Sequence, residues 1–166
     1  MRIEVRTSDD MRRLGVALAA VAQPGDLVVL TGELGAGKTT LAQGIGAGLG
    51  VAGDVLSPTF VIARVHRGGR IPLVHADAYR LGSIEEIDDL DLDASLDESL
   101  TVVEWGAGLV ERLAVDRLEV RIARPADDAD ETRVVTLHPV GASWTARAGQ
   151  LDRGAAAGRE EDGGHG

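Results

Sequence analysis

One octapeptide constrains this 166-residue chain more than any other feature: Gly32-Glu33-Leu34-Gly35-Ala36-Gly37-Lys38-Thr39 satisfies G-x-x-x-x-G-K-[ST] at every position. So short a pattern also arises by chance, and its flanks decide its meaning. Before it, Leu27-Val28-Val29-Leu30-Thr31 reads as a short apolar strand of the kind buried on both faces of an α/β sheet. After it, residues 38 to 49 read as a helix, although Gly44, Gly46 and Gly48 each lower its propensity by roughly 1 kcal/mol relative to Ala. A strand, a glycine loop and a helix in that order make a phosphate cradle. The glycines let successive backbone N–H groups turn inward around anionic oxygens, and the helix N-terminus adds partial positive charge. The backbone of Glu33, Leu34, Gly35, Ala36, Gly37 and Thr40 is therefore expected around phosphates, with Lys38 reaching the β and γ positions and the Thr39 hydroxyl on Mg²⁺. Lys38 is the only lysine among seventeen basic residues, kept where a compact ammonium serves better than a planar guanidinium. A dinucleotide site is set aside, because Gly35-Ala36-Gly37-Lys38-Thr39-Thr40 lacks the third glycine of G-x-G-x-x-G.

The rest of the chain reads as alternating helices and strands. Apolar residues at 11, 14, 18, 21 and 22 behind the capping segment Thr7-Ser8-Asp9-Asp10 predict a helix over about 9–22. Residues 59–66 and 71–76 predict a hairpin around Arg67-Gly68-Gly69-Arg70, and hence some antiparallel pairing. Ser83 and Glu86 form a capping box for a short helix over 84–90, inside a stretch where residues 85–98 carry eight carboxylates and no basic group. Further strands are expected at 100–104, 118–123 and 132–138. From Ala146 onward, Ala, Gly, Arg and Glu dominate without apolar periodicity, which predicts a domain over 1–145 and a disordered tail over 146–166.

A nucleotide hydrolase needs an acid near its metal, normally at the carboxyl end of a strand beside the loop. Two strands end this way, one before Asp77 and one at Glu104. Glu104 is assigned to the metal side and Asp77 to positioning or polarising the attacking water. The nucleotide expected is ATP: guanine recognition through N-K-x-D is impossible in a chain without Asn. Neither H-R-D nor D-F-G of the protein kinases occurs. His75 is expected to be a packed or hydrogen-bonded strand residue rather than a metal ligand.

Composition excludes several other classes. The chain has no Cys, which removes disulfide scaffolds, thiol catalysis and Cys-ligated metals, and nothing in it demands an oxidising compartment. With no long apolar stretch and no charged-apolar leader, the expectation is a cytoplasmic protein without membrane association. Residues 1–84 carry nine basic and seven acidic side chains, and residues 85–166 carry eight and twenty. Autonomous nucleic-acid binding is not expected from that balance, because counterion release requires a field of basic groups facing the phosphates.

Four segments, in order and spacing, give the chain a resemblance: the loop Gly32 to Thr40, Ser57-Pro58-Thr59-Phe60, His75-Ala76-Asp77-Ala78-Tyr79-Arg80-Leu81, and Val103-Glu104-Trp105. Together they resemble the motifs of the TsaE (formerly YjeE) family, over about residues 5 to 140. The resemblance implies a small bacterial P-loop ATPase that supports repeated cycles of the TsaB and TsaD proteins as they place threonylcarbamoyl on tRNA adenosine, with tRNA met only through that complex. By motif position it implies Lys38 and Thr39 as phosphate and Mg²⁺ residues, Glu104 as the acidic Mg²⁺ ligand and Asp77 as an acid needed for activity. Thr7 and Ser8 match, loosely, a family N-terminus that approaches the adenine, and Arg133 is a candidate late nucleotide residue. The chain departs from the pattern after Trp105, where Gly106-Ala107-Gly108 stands in place of a nearby acid.

The expected fold is α/β, a three-layer sandwich of the P-loop NTPase type with a mixed, mainly parallel central sheet. Two other functions remain open at the level of sequence: a small-molecule kinase, with Asp77 activating a substrate hydroxyl, and a nucleotide-gated assembly module without meaningful turnover.

Overall fold

The computed structural model describes residues 1–33, 35–51, 55, 63–77, 97–104, 116–124 and 131–160; of 63, 64, 77 and 152–160 it describes the backbone alone. Among these residues are seven strands, β1 (Arg2–Val5), β2 (Leu27–Gly32), β3 (Ala63–His66), β4 (Leu73–Asp77), β5 (Leu100–Glu104), β6 (Arg117–Ala123) and β7 (Arg133–Val140), and three helices, α1 (Ser8–Val21), α2 (Lys38–Leu49) and α3 (Ala142–Glu160). The strands form one sheet in the order β1-β7-β6-β2-β5-β4-β3. The β2 strand pairs in parallel with both β5 and β6, and β4 pairs in parallel with β5. The pairs β1/β7, β6/β7 and β3/β4 are antiparallel, so only β3 and β7 run against the other strands and the sheet is mixed and mainly parallel.

Burial along the central strands explains their composition. Val28, Leu30, Leu100, Val102, Leu118 and Val120 belong to the cluster that packs with the helices. Leu27, Val29, Val74, Ala76 and Val103, on the other face, are equally inaccessible, so the centre of the sheet is covered on both sides. The Arg67–Arg70 hairpin stands as expected, with Val65 opposite Val74 and His66 opposite Leu73. Arg70 also donates to the carbonyls of Ala19 and Ala22 at the end of α1, where the Ala19 carbonyl accepts from the Ala22 N–H as well. At the other end of α1, the Thr7 hydroxyl accepts from the Asp10 N–H at 3.1 Å. The helix expected at 84–90, the residues 85–96 of the acidic stretch and residues 59–62 of the first hairpin strand lie outside the described residues.

Gly44, Gly46 and Gly48 of α2 divide their contacts. A Cβ on Gly46 would meet the Val55 and Val51 side chains, with Leu73 of the sheet just beyond. On Gly44 it would stand 2.3 Å from the Arg12 carbonyl oxygen, and on Gly48 2.7 Å from the Ala19 Cβ. The close approach that these glycines permit is therefore mainly of α2 on α1, with one position turned to the sheet. Gly15 of α1 reciprocates, since its Cβ would be 2.5 Å from the Leu41 carbonyl oxygen.

The C-terminal end differs from the sequence expectation of a domain closing at 145 and a disordered tail from 146. A helix runs from Ala142 to Glu160, and Trp144, Arg147, Ala148 and Leu151 are buried. Spacings of three and four place these residues on one helix face, but Trp144 lies before the expected boundary and Ala148 is small, so the apolar signal beyond 146 rests almost on Leu151 alone. A polar contact completes it: Arg147 grips Asp26 bidentately, Nη1 to Oδ2 at 2.6 Å and Nη2 to Oδ1 at 2.9 Å. The same guanidinium donates to the Val21 carbonyl at 2.8 Å and the Ser143 hydroxyl at 2.7 Å, and lies 4.2 Å from the centre of the Trp144 ring. Residues 161–166 lie outside the described residues.

Removing one partner of a buried pair strands the other charge. Arg147→Ala should therefore lower the unfolding free energy by about 3–5 kcal/mol in a urea titration; a change below about 1 kcal/mol would show that α3 is not an integral part of the core.

Candidate functional site

The loop between β2 and α2 leaves the sheet at its centre, where β2 lies between β5 and β6. Its shape follows from two glycines with positive φ, Gly35 at 78° and Gly37 at 111°. Gly37 is also the N-cap of α2 and has no side chain to cap it, so the first-turn N–H groups of that helix have no side-chain acceptor at that position. An anion is the natural partner for such a terminus. Any side chain at Gly37 would press on Met11, whose Cε lies 3.2 Å from where a Cβ would stand.

Lys38 is only 6% exposed although it carries a charge. Its Nζ donates to the Gly32 carbonyl at 2.8 Å and to the Glu33 carbonyl at 3.0 Å, so the ammonium folds back over the start of the loop. Thr39 and Thr40 follow in the first turn of α2, half-buried. Leu34 is outside the described residues.

On the neighbouring strands, Glu104 ends β5 in register with Leu30 of β2 and with Asp77 of β4. Sheet pairing thus brings the two sequence-predicted acids side by side, next to the strand that carries the loop. The Glu104 carboxylate is buried, and its Oε2 lies 3.3 Å from Nε2 of His75. His75 is a packed strand residue, as expected; among the described residues no cluster of three His, Asp or Glu side chains could hold a metal by itself. The donors here are the Thr39 hydroxyl and one carboxylate, hard oxygen ligands of the type that suits Mg²⁺ when phosphate oxygens complete its shell.

Beside the loop is a cavity of about 160 Å³ lined by Thr7, Ser8, Met11, Gly35, Ala36, Gly37, Thr40, Glu131 and Arg133. The structure therefore brings Thr7, Ser8 and Arg133, from the two ends of the sequence, to the same wall of the loop. Arg133 is held in part by its own Nη1 donating to the Thr132 carbonyl at 3.1 Å. Sequence reading missed Met11 and Glu131. Met11 lies one helical turn beyond Thr7 and reads in the sequence only as one of the apolar residues of α1; Glu131 stands two residues before Arg133, and the pairing of β1 with β7 brings that segment to the start of α1.

A mainly parallel sheet with a glycine loop, a buried lysine and a strand-end acid at its centre defines a P-loop protein of the α/β class. The chain matches the family model described as "Threonylcarbamoyl adenosine biosynthesis protein TsaE" over residues 5–134. It is 60% identical over 138 residues to the tRNA threonylcarbamoyladenosine biosynthesis protein TsaE of Streptomyces coelicolor, covering 81% of this chain and 93% of that one. Identity to the Bacillus subtilis protein of the same name is 37% over 146 residues, 87% of this chain and 89% of the other. The crystal structure of Bacillus subtilis YdiB superposes with a TM-score of 0.78 at 31% identity, covering 92% of this chain and 94% of that one. This chain belongs to the TsaE family of tRNA threonylcarbamoyladenosine biosynthesis proteins.

The backbone at Gly37 gives a direct test of the loop. Gly37→Ala should lower stability by about 1–2 kcal/mol through its left-handed conformation alone, read as a fall in the thermal midpoint. An unchanged midpoint would mean that the loop relaxes out of this shape.

Proposed function

We propose that this chain is a cytoplasmic Mg²⁺-dependent ATPase that supports turnover of the TsaB–TsaD complex in tRNA threonylcarbamoyladenosine formation. The observation that carries the reading is the loop itself: Lys38 turned in over the carbonyls of Gly32 and Glu33, at the uncapped start of α2, one strand away from the buried carboxylate of Glu104. Membership of the TsaE family supports the pathway, and no described helix is long and apolar enough to cross a membrane.

In this reading the N–H groups from Glu33 to Thr40 surround the phosphates, and Lys38 exchanges its carbonyl partners for β- and γ-phosphate oxygens. Thr39 and Glu104 would hold Mg²⁺, Glu104 directly or through water, and the cation would supply charge stabilisation for the transferring phosphoryl group. Asp77, in register with Glu104, orients the water for in-line attack on the γ-phosphate. The cavity bounded by Thr7, Ser8, Met11, Thr40, Glu131 and Arg133 takes the nucleoside end of ATP. Transition-state stabilisation is then electrostatic, from groups held in place by the fold. The acidic second half of the chain fits a role in which tRNA is held by the partner proteins.

Two substitutions test the assignment by different readouts. Lys38→Ala should abolish hydrolysis and weaken MgATP binding at least tenfold in calorimetry; unchanged binding and turnover would sink the P-loop reading. Asp77→Ala should retain MgATP binding while multiple-turnover tRNA modification with TsaB and TsaD falls about 10²-fold or more. Full turnover in that variant would remove Asp77 from the mechanism, and a phosphorylated small molecule in place of free phosphate would identify a kinase.

A further inference from the structure

Among the described residues near the site, His75 is the most deeply buried polar group, and the role just proposed for the other residues leaves it without one. Its side chain is 0% exposed and that of Glu104 only 4%, with Nε2 3.3 Å from Oε2. Neither ring nitrogen is in an aligned hydrogen bond. An imidazole buried in that state carries a desolvation cost that a hydrogen-bonded one does not. An aliphatic side chain would carry no such cost here, as Leu73 and Val102 show around it.

The pleat explains why the two groups face each other. His75 is in register with Val102, and Glu104 lies two residues further along β5, on the same face. His75 and Glu104 are therefore diagonal neighbours on adjacent parallel strands, and the ring reaches across to the carboxylate rather than to a backbone group. At 3.3 Å the two atoms are within hydrogen-bonding distance but not aligned. Catalytic hydrogen bonds commonly tighten when ligands bind.

We infer that His75 is a positioning residue for Glu104: its Nε2–H holds Oε2 and leaves the other carboxylate oxygen for the cation that accompanies the nucleotide. The inference rests on the function proposed above. It requires a proton on Nε2, because only an N–H can donate to the carboxylate. Partners of this kind fix the orientation of a ligating group, and their loss typically costs 10–100-fold in metal affinity.

The full-length protein provides two readouts. In long-range ¹H–¹⁵N spectra of the nucleotide-free protein, His75 should carry its proton on Nε2, and that signal should move in Glu104→Gln. In calorimetry, the gain in ATP affinity on adding Mg²⁺ should fall about tenfold in His75→Leu and return in His75→Gln, whose amide nitrogen reaches the place of Nε2. Affinity for ATP without Mg²⁺ should be the same in all three proteins. An Nδ1–H tautomer, or a His75→Leu protein with the wild-type response to Mg²⁺, would overturn the assignment. Should His75→Leu not fold, His75→Asn takes its place, since its shorter amide reaches only the Nδ1 position; equal Mg²⁺ responses in the Asn and Gln variants would then refute it. A wild-type ATP affinity indifferent to Mg²⁺ would instead overturn the proposed ATPase, and the spectra would still decide whether His75 donates to Glu104.

Discussion

Everything at the site depends on β2 lying between two parallel neighbours. A strand in that position has both faces covered and both edges paired, so its residues must be apolar and its backbone cannot shift without breaking two ladders. The parallel register also decides what stands beside the loop. Leu30 pairs with Glu104 and Glu104 with Asp77, so the ends of β4 and β5 come level with a point two residues before β2 gives way to the glycine loop. In α/β sheets the carboxyl edge is where ligands bind.

A second constraint sets the depth of the site. Gly15 on α1 and Gly44 and Gly48 on α2 remove the side chains that would hold these helices apart, and the two backbones come close enough that added Cβ atoms would clash. The start of α1 is thereby drawn against the loop, with Thr7, Ser8 and Met11 in the cavity wall. The glycines cost helix propensity and return proximity, and the burial of Leu14, Leu18, Leu41 and Ile45 compensates.

What could be read from the sequence follows the range of each interaction. The loop, β2, α1, α2 and the β3–β4 hairpin are local patterns, and the structure has them within a residue or two where they are described. Strand order was not legible, because nothing in β6 or β7 states that β7 will pair with β1 at the far edge. Glu131 was missed for that reason. That Asp77 and Glu104 both end strands is legible in the sequence, but their register is not; His75 reads as a packed or hydrogen-bonded strand residue without a named partner, since its relation to Glu104 is diagonal across a pairing unknown from sequence. Helix α3 is not legible because beyond residue 146 its buried apolar face is only Ala148 and Leu151, and the contact that adds to it is an ion pair with a residue 121 positions away.

That ion pair bears on the loop as well. Asp26 immediately precedes β2, so Arg147 grips the chain at one end of the strand while the phosphate-type loop leaves the other. Asp26 also accepts from the Gln23 N–H at 2.6 Å, and Arg147 also donates to the Val21 carbonyl, the last residue of α1. A buried pair of this kind contributes little net stability compared with apolar packing, because desolvation offsets most of its attraction. Its effect here is geometric: a planar fork on a carboxylate admits one arrangement, and it joins α1, β2 and α3 at a single point. The base of β2 is then fixed by direction-dependent bonds and its length by two ladders, so the position of the loop at its end is determined by the fold and does not have to be established by a ligand.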